Sequence, residues 1–283
     1  MSAYRLPTGG LVDRSRPLAF RFDGRSMRGF AGDTLASALL ANDQVLVGRS
    51  FKYHRPRGIV SAGSSEPNAL VTIGFGARSD PNTKATVTEL YAGLAARSQN
   101  RWPALSFDVG AVTGLLSPFL AVGFYYKTFM WPAAFWEKVY EPLIRRASGL
   151  GRAVLEPDPE RYEKSWAHCD LLIVGAGPTG LMAALTAGRA GLRVILADED
   201  FRLGGSLLSE ARVIDSVAAH VFADRVVAEL QTLPNVTLFP RTTVFGWYDD
   251  NVLGAVERVQ KHVAEPASGT AQPRRRRSLP IWV

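Results

Sequence analysis

Residues 18–22 alternate apolar and polar in strand fashion, Asp23-Gly24 is a strong two-residue turn signal, and residues 26–30 supply a return strand. The run LASALLAND follows, with Leu35, Leu39 and Leu40 on one face of a short helix that Asp33 or Thr34 can cap. A loop of small and turn-forming residues, GIVSAGSSEPNA, then leads into an apolar strand at 70–73. The pattern changes near residue 170. There the apolar run 171–174, a helix at 181–188, a strand at 192–197, a helix at 217–230 and strands at 236–239, 242–248 and 252–259 alternate as in a parallel α/β unit. Between the two units, residues 102–146 are aromatic-rich and helical in tone, and so much aromatic surface must pack on the next domain or on another subunit. The pattern divides the chain into 1–95, a connector at 96–165, an α/β unit at 166–270 and a tail at 271–283.

Composition narrows the class. With 47% hydrophobic and 21% charged residues, the chain is neither disordered nor wholly membrane-embedded. One cysteine, Cys169, excludes an internal disulfide and a cysteine-ligated metal, so no metal ligands are expected and a reducing cytoplasm fits. Residues 109–126 carry no charge, but Gly110, Gly114, Pro118 and Gly123 interrupt them, and they read as a buried segment and not a membrane span. The net charge of +7 falls to +3 without the four arginines at 274–277, so the basic balance partly reflects the tail.

The chemistry sits at 168–206. Gly175-Ala-Gly177-Pro-Thr-Gly180 follows a strand and opens a helix, the context that a dinucleotide site needs. Gly175 allows the turn, Gly177 lets backbone amides approach a diphosphate, and Gly180 lets helix and sheet pack closely. The helix N-terminus offers N–H groups and partial positive charge to the anion. Asp198, at the end of the second strand, is placed to bond a ribose hydroxyl, and Asp198, Glu199 and Asp200 together disfavour NADP relative to NAD or FAD.

Two other features carry less. The stretch RSFKYHRPRG, with Arg49, Lys52, Arg55 and Arg57 among Phe51, Tyr53 and His54, has the look of a phosphate-and-stacking surface or of a basic loop on an acidic neighbour. Nucleic acid is not expected as a partner. The four histidines, His54, His168, His220 and His262, are scattered and read as structural or exposed; no residue is assigned a catalytic acid or base role. Residues after about 260 show neither strand periodicity nor the turn that would return to the ligand, and the frame reads as lost near Thr270.

The element Arg202-Leu-Gly204-Gly205-Ser206 resembles the extended fingerprint of two-dinucleotide-binding-domain flavoproteins. With GDTLASALLAND, RSFKYHRPRGI, RWPALSFDVGAV, FYYKTFMWP and FWEKVYEPLIRRASGLG, the chain resembles the N-terminal part of the α-subunit family of heterotetrameric sarcosine oxidases. The resemblance implies a β-grasp, ferredoxin-like α+β domain followed by an incomplete Rossmann-type α/β domain. Ser61-Ala-Gly-Ser-Ser-Glu-Pro stands where related dehydrogenases keep cysteines, so a domain without an iron-sulfur cluster is expected. It further implies NAD, with FAD as alternative occupant, at Gly175, Gly177, Thr179, Gly180, Asp198, Glu199, Gly205, Ser206 and Val244. FAD and FMN are implied elsewhere in a complex with β-, γ- and δ-type subunits that oxidises sarcosine to glycine, releases hydrogen peroxide and passes formaldehyde to tetrahydrofolate. The alternatives are an FAD-binding subunit of an opine, amine or proline dehydrogenase, and a noncatalytic assembly module.

Overall fold

A computed structural model describes residues 5–127, 129–259 and 275–283. The contacts divide the chain into two compact units, one built mainly from residues up to Asp158 and the other from Pro159–Val283.

In the first unit, β1 (Asp13–Phe22) and β2 (Arg25–Ala31) form an antiparallel hairpin, and Asp23 and Gly24 take φ of +47° and +80°, as a primed turn requires. Helix α1 (Leu35–Ala41) follows, then β3 (Leu70–Ile73), β4 (Asp80–Lys84) and β5 (Ala95–Ser98). The sheet order is β2-β1-β5-β3-β4, with β5 parallel to β1 and antiparallel to β3. Phe20 and Phe22 from β1, Leu35 and Leu39 from α1, and Val71 and Ile73 from β3 close one core. Thr34 caps α1 through a reciprocal pair, its hydroxyl accepting from the Ser37 amide at 3.1 Å while the Ser37 hydroxyl accepts from the Thr34 amide at 3.0 Å. Asp33 takes another role: its buried carboxylate accepts from the Phe30 amide, the Ser37 hydroxyl and Arg5 at 2.6–2.8 Å.

Residues 102–147 are only locally helical, with a 3₁₀ stretch at Val109–Leu116 and short helical pieces at Phe124–Lys127, Trp136–Tyr140 and Glu141–Ala147. The glycines at 110, 114 and 123 and the prolines at 118 and 132 break any longer helix. Among the described residues, no helix is long and apolar enough to cross a membrane. Many of the large apolar side chains of this aromatic segment are exposed in the chain by itself.

In the second unit, β8 (Leu171–Val174), β9 (Val194–Ala197) and β10 (Val236–Phe239) form a parallel sheet in that order, preceded in the chain by β6 (Arg161–Lys164) and β7 (Ala167–His168). All four residues of β9, the central strand, are buried, which is why it reads as a continuous apolar run. Helices α2 (Pro178–Arg189) and α3 (Ala219–Thr232) join the core through Leu181, Ala184 and Leu185, and through Ala223, Val226 and Leu230. A second sheet contains β11 (Thr242–Tyr248), β12 (Val252–Glu257) and β13 (Arg275–Trp282), with β6 and β7 parallel to β13.

Residues 275–282, within the stretch expected as a basic tail, form strand β13. Leu279 and Ile281 point inward and are buried with Ala255, Ile195 and Cys169, and Arg277 pairs with Glu257 at 3.0 Å. The alternation is confined to SLPIW, and the arginine run ahead of it hides the period. The point near Thr270 where the frame reads as lost lies outside the described residues.

Candidate functional site

The end of β8 turns sharply. Gly175 has φ of +100°, a conformation that L side chains rarely adopt, and its amide donates to the Ala197 carbonyl at 2.8 Å, bringing the turn to the end of β9. Gly177 is the N-cap of α2 and holds an extended backbone, φ −70° and ψ −175°, as a residue before proline prefers. Among the described residues no side chain caps this helix, so its first N–H groups have no intrahelical or side-chain partner. Gly180 is required by packing: a Cβ there would lie 1.9 Å from the Gly175 carbonyl oxygen. At Gly177 a Cβ would meet nothing within 4 Å, which leaves open the space in front of the helix N-terminus.

Asp198 locks the turn to β9. One carboxylate oxygen accepts from the Ala176 amide at 2.5 Å and the other from the Asp200 amide at 2.7 Å. Its backbone joins in, its amide donating to the Phe239 carbonyl and its carbonyl accepting from Thr242 at 2.7 Å. Gly205 approaches from the far side with φ of +53°, and a Cβ there would sit 2.8 Å from the Gly177 Cα; the neighbouring Gly204 amide donates to the Ala176 carbonyl at 2.9 Å. The fold therefore gathers Gly175, Gly177, Gly180, Asp198 and Gly205 around one turn.

The other expected site residues are placed more loosely. Thr179 is exposed on the first turn of α2, and Ser206 is exposed in the 3₁₀ turn Gly205–Leu208. Glu199 is partly buried and its carbonyl accepts from Arg258. Val244 lies in β11, two residues beyond Thr242, and its side chain packs beside Ile195 and Cys169. Arg202 of the fingerprint pairs with Asp224 at 2.9 Å and so ties the loop to α3.

Asp200, which in the sequence counts only as one of three negative charges, has a setting of its own in the fold. Burial pushes its carboxyl up to about 6; the Phe201 amide opposes this, and the neighbouring Asp198 carboxylate adds to it. The acidic triplet thus places two carboxylates in different settings, Asp198 bonded into the turn and Asp200 raised by burial. Cys169 is buried and its thiol is raised by burial and then by Asp170, so it is not a poised nucleophile.

Comparisons with known proteins fit this geometry. Residues 15–101 match the family described as 2Fe-2S iron-sulfur cluster binding domain, and residues 170–257 match FAD dependent oxidoreductase. The chain is therefore similar to a ferredoxin-type 2Fe-2S domain followed by an FAD-dependent oxidoreductase domain, and its architecture is mixed α/β. A likeness to the crystal structure of L-proline dehydrogenase from P. horikoshii, with a TM-score of 0.51 at 16% identity over 95% of this chain and 39% of that one, supports the fold. The chain matches the N-terminal region of sarcosine oxidase subunit alpha. It is 70% identical to that of Rhizobium meliloti over 95% of its own length, and 37% identical to that of Corynebacterium sp. strain P-1 over 99%. It spans about a quarter of these relatives, 27% and 24% of their lengths.

The matches correct the expected cofactor set of NAD first, FAD second and no iron-sulfur cluster. The first domain falls in a 2Fe-2S cluster-binding family, and the second in an FAD family. The sequence reading expects the ferredoxin-like domain but withholds the cluster for want of cysteines, whereas the matching family is described as cluster-binding. Residues 15–101 contain no cysteine, so their side chains do not supply thiolate ligands, and the chemistry developed below uses the dinucleotide site only.

Proposed function

We propose that the chain is the dinucleotide-holding portion of a sarcosine oxidase-type alpha subunit. In this reading the 175–180 turn and Gly205 take the diphosphate of FAD, and Asp198 and Glu199 lie beside the ribose. Thr179 and Ser206 border the diphosphate, and the backbone at Val244 borders the adenine. The observation that carries the reading is the open helix N-terminus at Gly177, framed by Gly175, Gly205 and Asp198 within hydrogen-bond or van der Waals reach of one another.

Bound there, FAD supplies two-electron redox chemistry. The residues of this chain bind and orient. The α2 N-terminus offsets diphosphate charge, and the glycines permit close backbone approach. The carboxylate of Asp198 holds the Ala176 amide, and with it the turn, in register with β9. Within the whole protein, the reaction assigned is oxidation of sarcosine to glycine with oxygen, giving hydrogen peroxide and formaldehyde that is passed to tetrahydrofolate. The assembly assigned is hetero-oligomeric, with further subunits.

The test is a titration of the purified chain with FAD, with NAD as competitor, followed by flavin fluorescence. Saturable FAD binding that weakens about tenfold or more in Asp198→Ala is the expected result. Equal binding by that variant removes Asp198 from the site, and preference for NAD over FAD reassigns the ligand.

A further inference from the structure

The aromatic segment is not a collapsed connector. Four side chains of the basic stretch that follows Gly48 hold it in place. Arg49 donates to the Leu105 carbonyl through Nε at 3.1 Å and Nη2 at 2.6 Å. Tyr53 donates its hydroxyl to the Leu120 carbonyl at 2.9 Å, while Lys52 reaches the Ala121 carbonyl at 3.2 Å and lies over the Phe124 ring. His54 Nδ1 meets the buried Asp108 carboxylate at 2.6 Å. The motif read as a phosphate-and-stacking surface is thus spent on pinning residues 105–124 within its own unit.

What the clamp presents to water is apolar. Leu115 is 80% exposed, Phe119 70%, Val122 94% and Trp131 84%. At about 150–250 Å² per aromatic side chain, Phe119 and Trp131 alone place roughly 250–400 Å² of apolar surface in solvent, and Leu115 and Val122 add to it. A stable interface takes about 800 Å² per partner, and Met130 and Leu143, both also exposed, extend the surface toward that size. The charges along the same segment favour one sign. Lys127, Lys138, Arg145 and Arg146 are exposed against Glu137 and Glu141, and Glu141 is already paired with Arg145 at 2.7 Å.

We infer that this segment is a docking face for another subunit of the oxidase, one that presents an apolar surface edged with carboxylates. The inference rests on the reading of the chain as part of a multi-subunit enzyme. A second copy of this chain fits less well, because a two-fold contact would set lysine and arginine against lysine and arginine. Holding the segment by its backbone carbonyls pre-orders it, which lowers the entropy lost on docking.

The test co-expresses the full-length subunit with the beta-, gamma- and delta-type subunits and compares wild type with Val122→Asp/Trp131→Asp and with Lys138→Glu/Arg146→Glu. These positions are exposed, so neither pair removes a core side chain. FAD titration of each preparation reads the Gly175 site independently. The apolar pair is expected to weaken subunit capture about tenfold or more. The charge pair slows association several-fold, most at low salt. FAD binding is expected to be unchanged in both. Undiminished capture by the apolar pair overturns the inference, as does a wild-type subunit that instead dimerises, or binds anionic lipid vesicles, through this face. A wild type that captures its partners but binds no FAD, with capture weakened in the apolar pair, refutes the dinucleotide reading and leaves the docking face supported.

Discussion

Replacing Asp200 by asparagine should stabilise the second unit, and the gain should depend on pH. The carboxyl is raised from 3.8 to about 6 in the fold, chiefly by burial. Between those values the native state holds more protons than the unfolded chain, so stability falls as pH rises through the window. A displacement of roughly two pKa units corresponds to about 3 kcal/mol, lost in full above pH 6–7 and absent below about pH 4. Asp200→Asn removes the titration and keeps an oxygen that can accept from the Phe201 amide, which lies 2.7 Å from Asp200 Oδ1. The variant should therefore match wild type near pH 4 and exceed it by about 3 kcal/mol at pH 8. Because the chain has two units, the assay should read the second one directly, by hydrogen exchange at the amides of Val194–Ala197 under increasing denaturant from pH 4 to 8. A gain that is flat with pH, or a loss at pH 8, refutes the assignment of the strain to a buried carboxylate.

Two further substitutions have expected outcomes. Gly180→Ala sets a methyl group 1.9 Å from the Gly175 carbonyl oxygen, so the backbone must shift; a loss of about 1–3 kcal/mol in the unfolding free energy is expected, and an unchanged midpoint contradicts the close approach. Glu66 is 2% exposed; burial pushes its carboxyl up, but the amides of Ser61, Asn68 and Val60 and the Ser61 hydroxyl outweigh this and hold it below the usual range. A lowered value stabilises above the ordinary carboxylate range and is lost as pH falls through the native one, so Glu66→Gln should cost about 1.5–3 kcal/mol at pH 7 and less in acid, measured by urea unfolding at both.

The parts legible in sequence were those whose signal is local. The 175–180 turn could be read because strand, glycine spacing and helix are contiguous, and α1, β3 and β10 because their apolar periods are uninterrupted. Strand β4, DPNTK, was missed because it pairs through backbone with Leu70–Ile73 and buries no apolar stripe of its own. Strand β5 joins β1 across more than seventy residues, a parallel pairing that no short window contains. The part of Asp200 was hidden for a related reason: a carboxylate's burial depends on Asp198, Phe201 and the chain that folds over them. In the aromatic segment, residue type announced packing, but the hydrogen bonds that hold it come from residues 49–54, and the side chains face outward.

The central claim is that Gly177 marks the space a dinucleotide diphosphate occupies. In Gly177→Val the fold should persist, because a Cβ there meets nothing within 4 Å and the extended backbone before Pro178 accepts a branched side chain. The decisive measurement is the FAD dissociation constant of this variant beside its unfolding midpoint. The account predicts an unchanged midpoint with FAD binding weakened at least about tenfold. An unchanged midpoint with wild-type FAD affinity would contradict it.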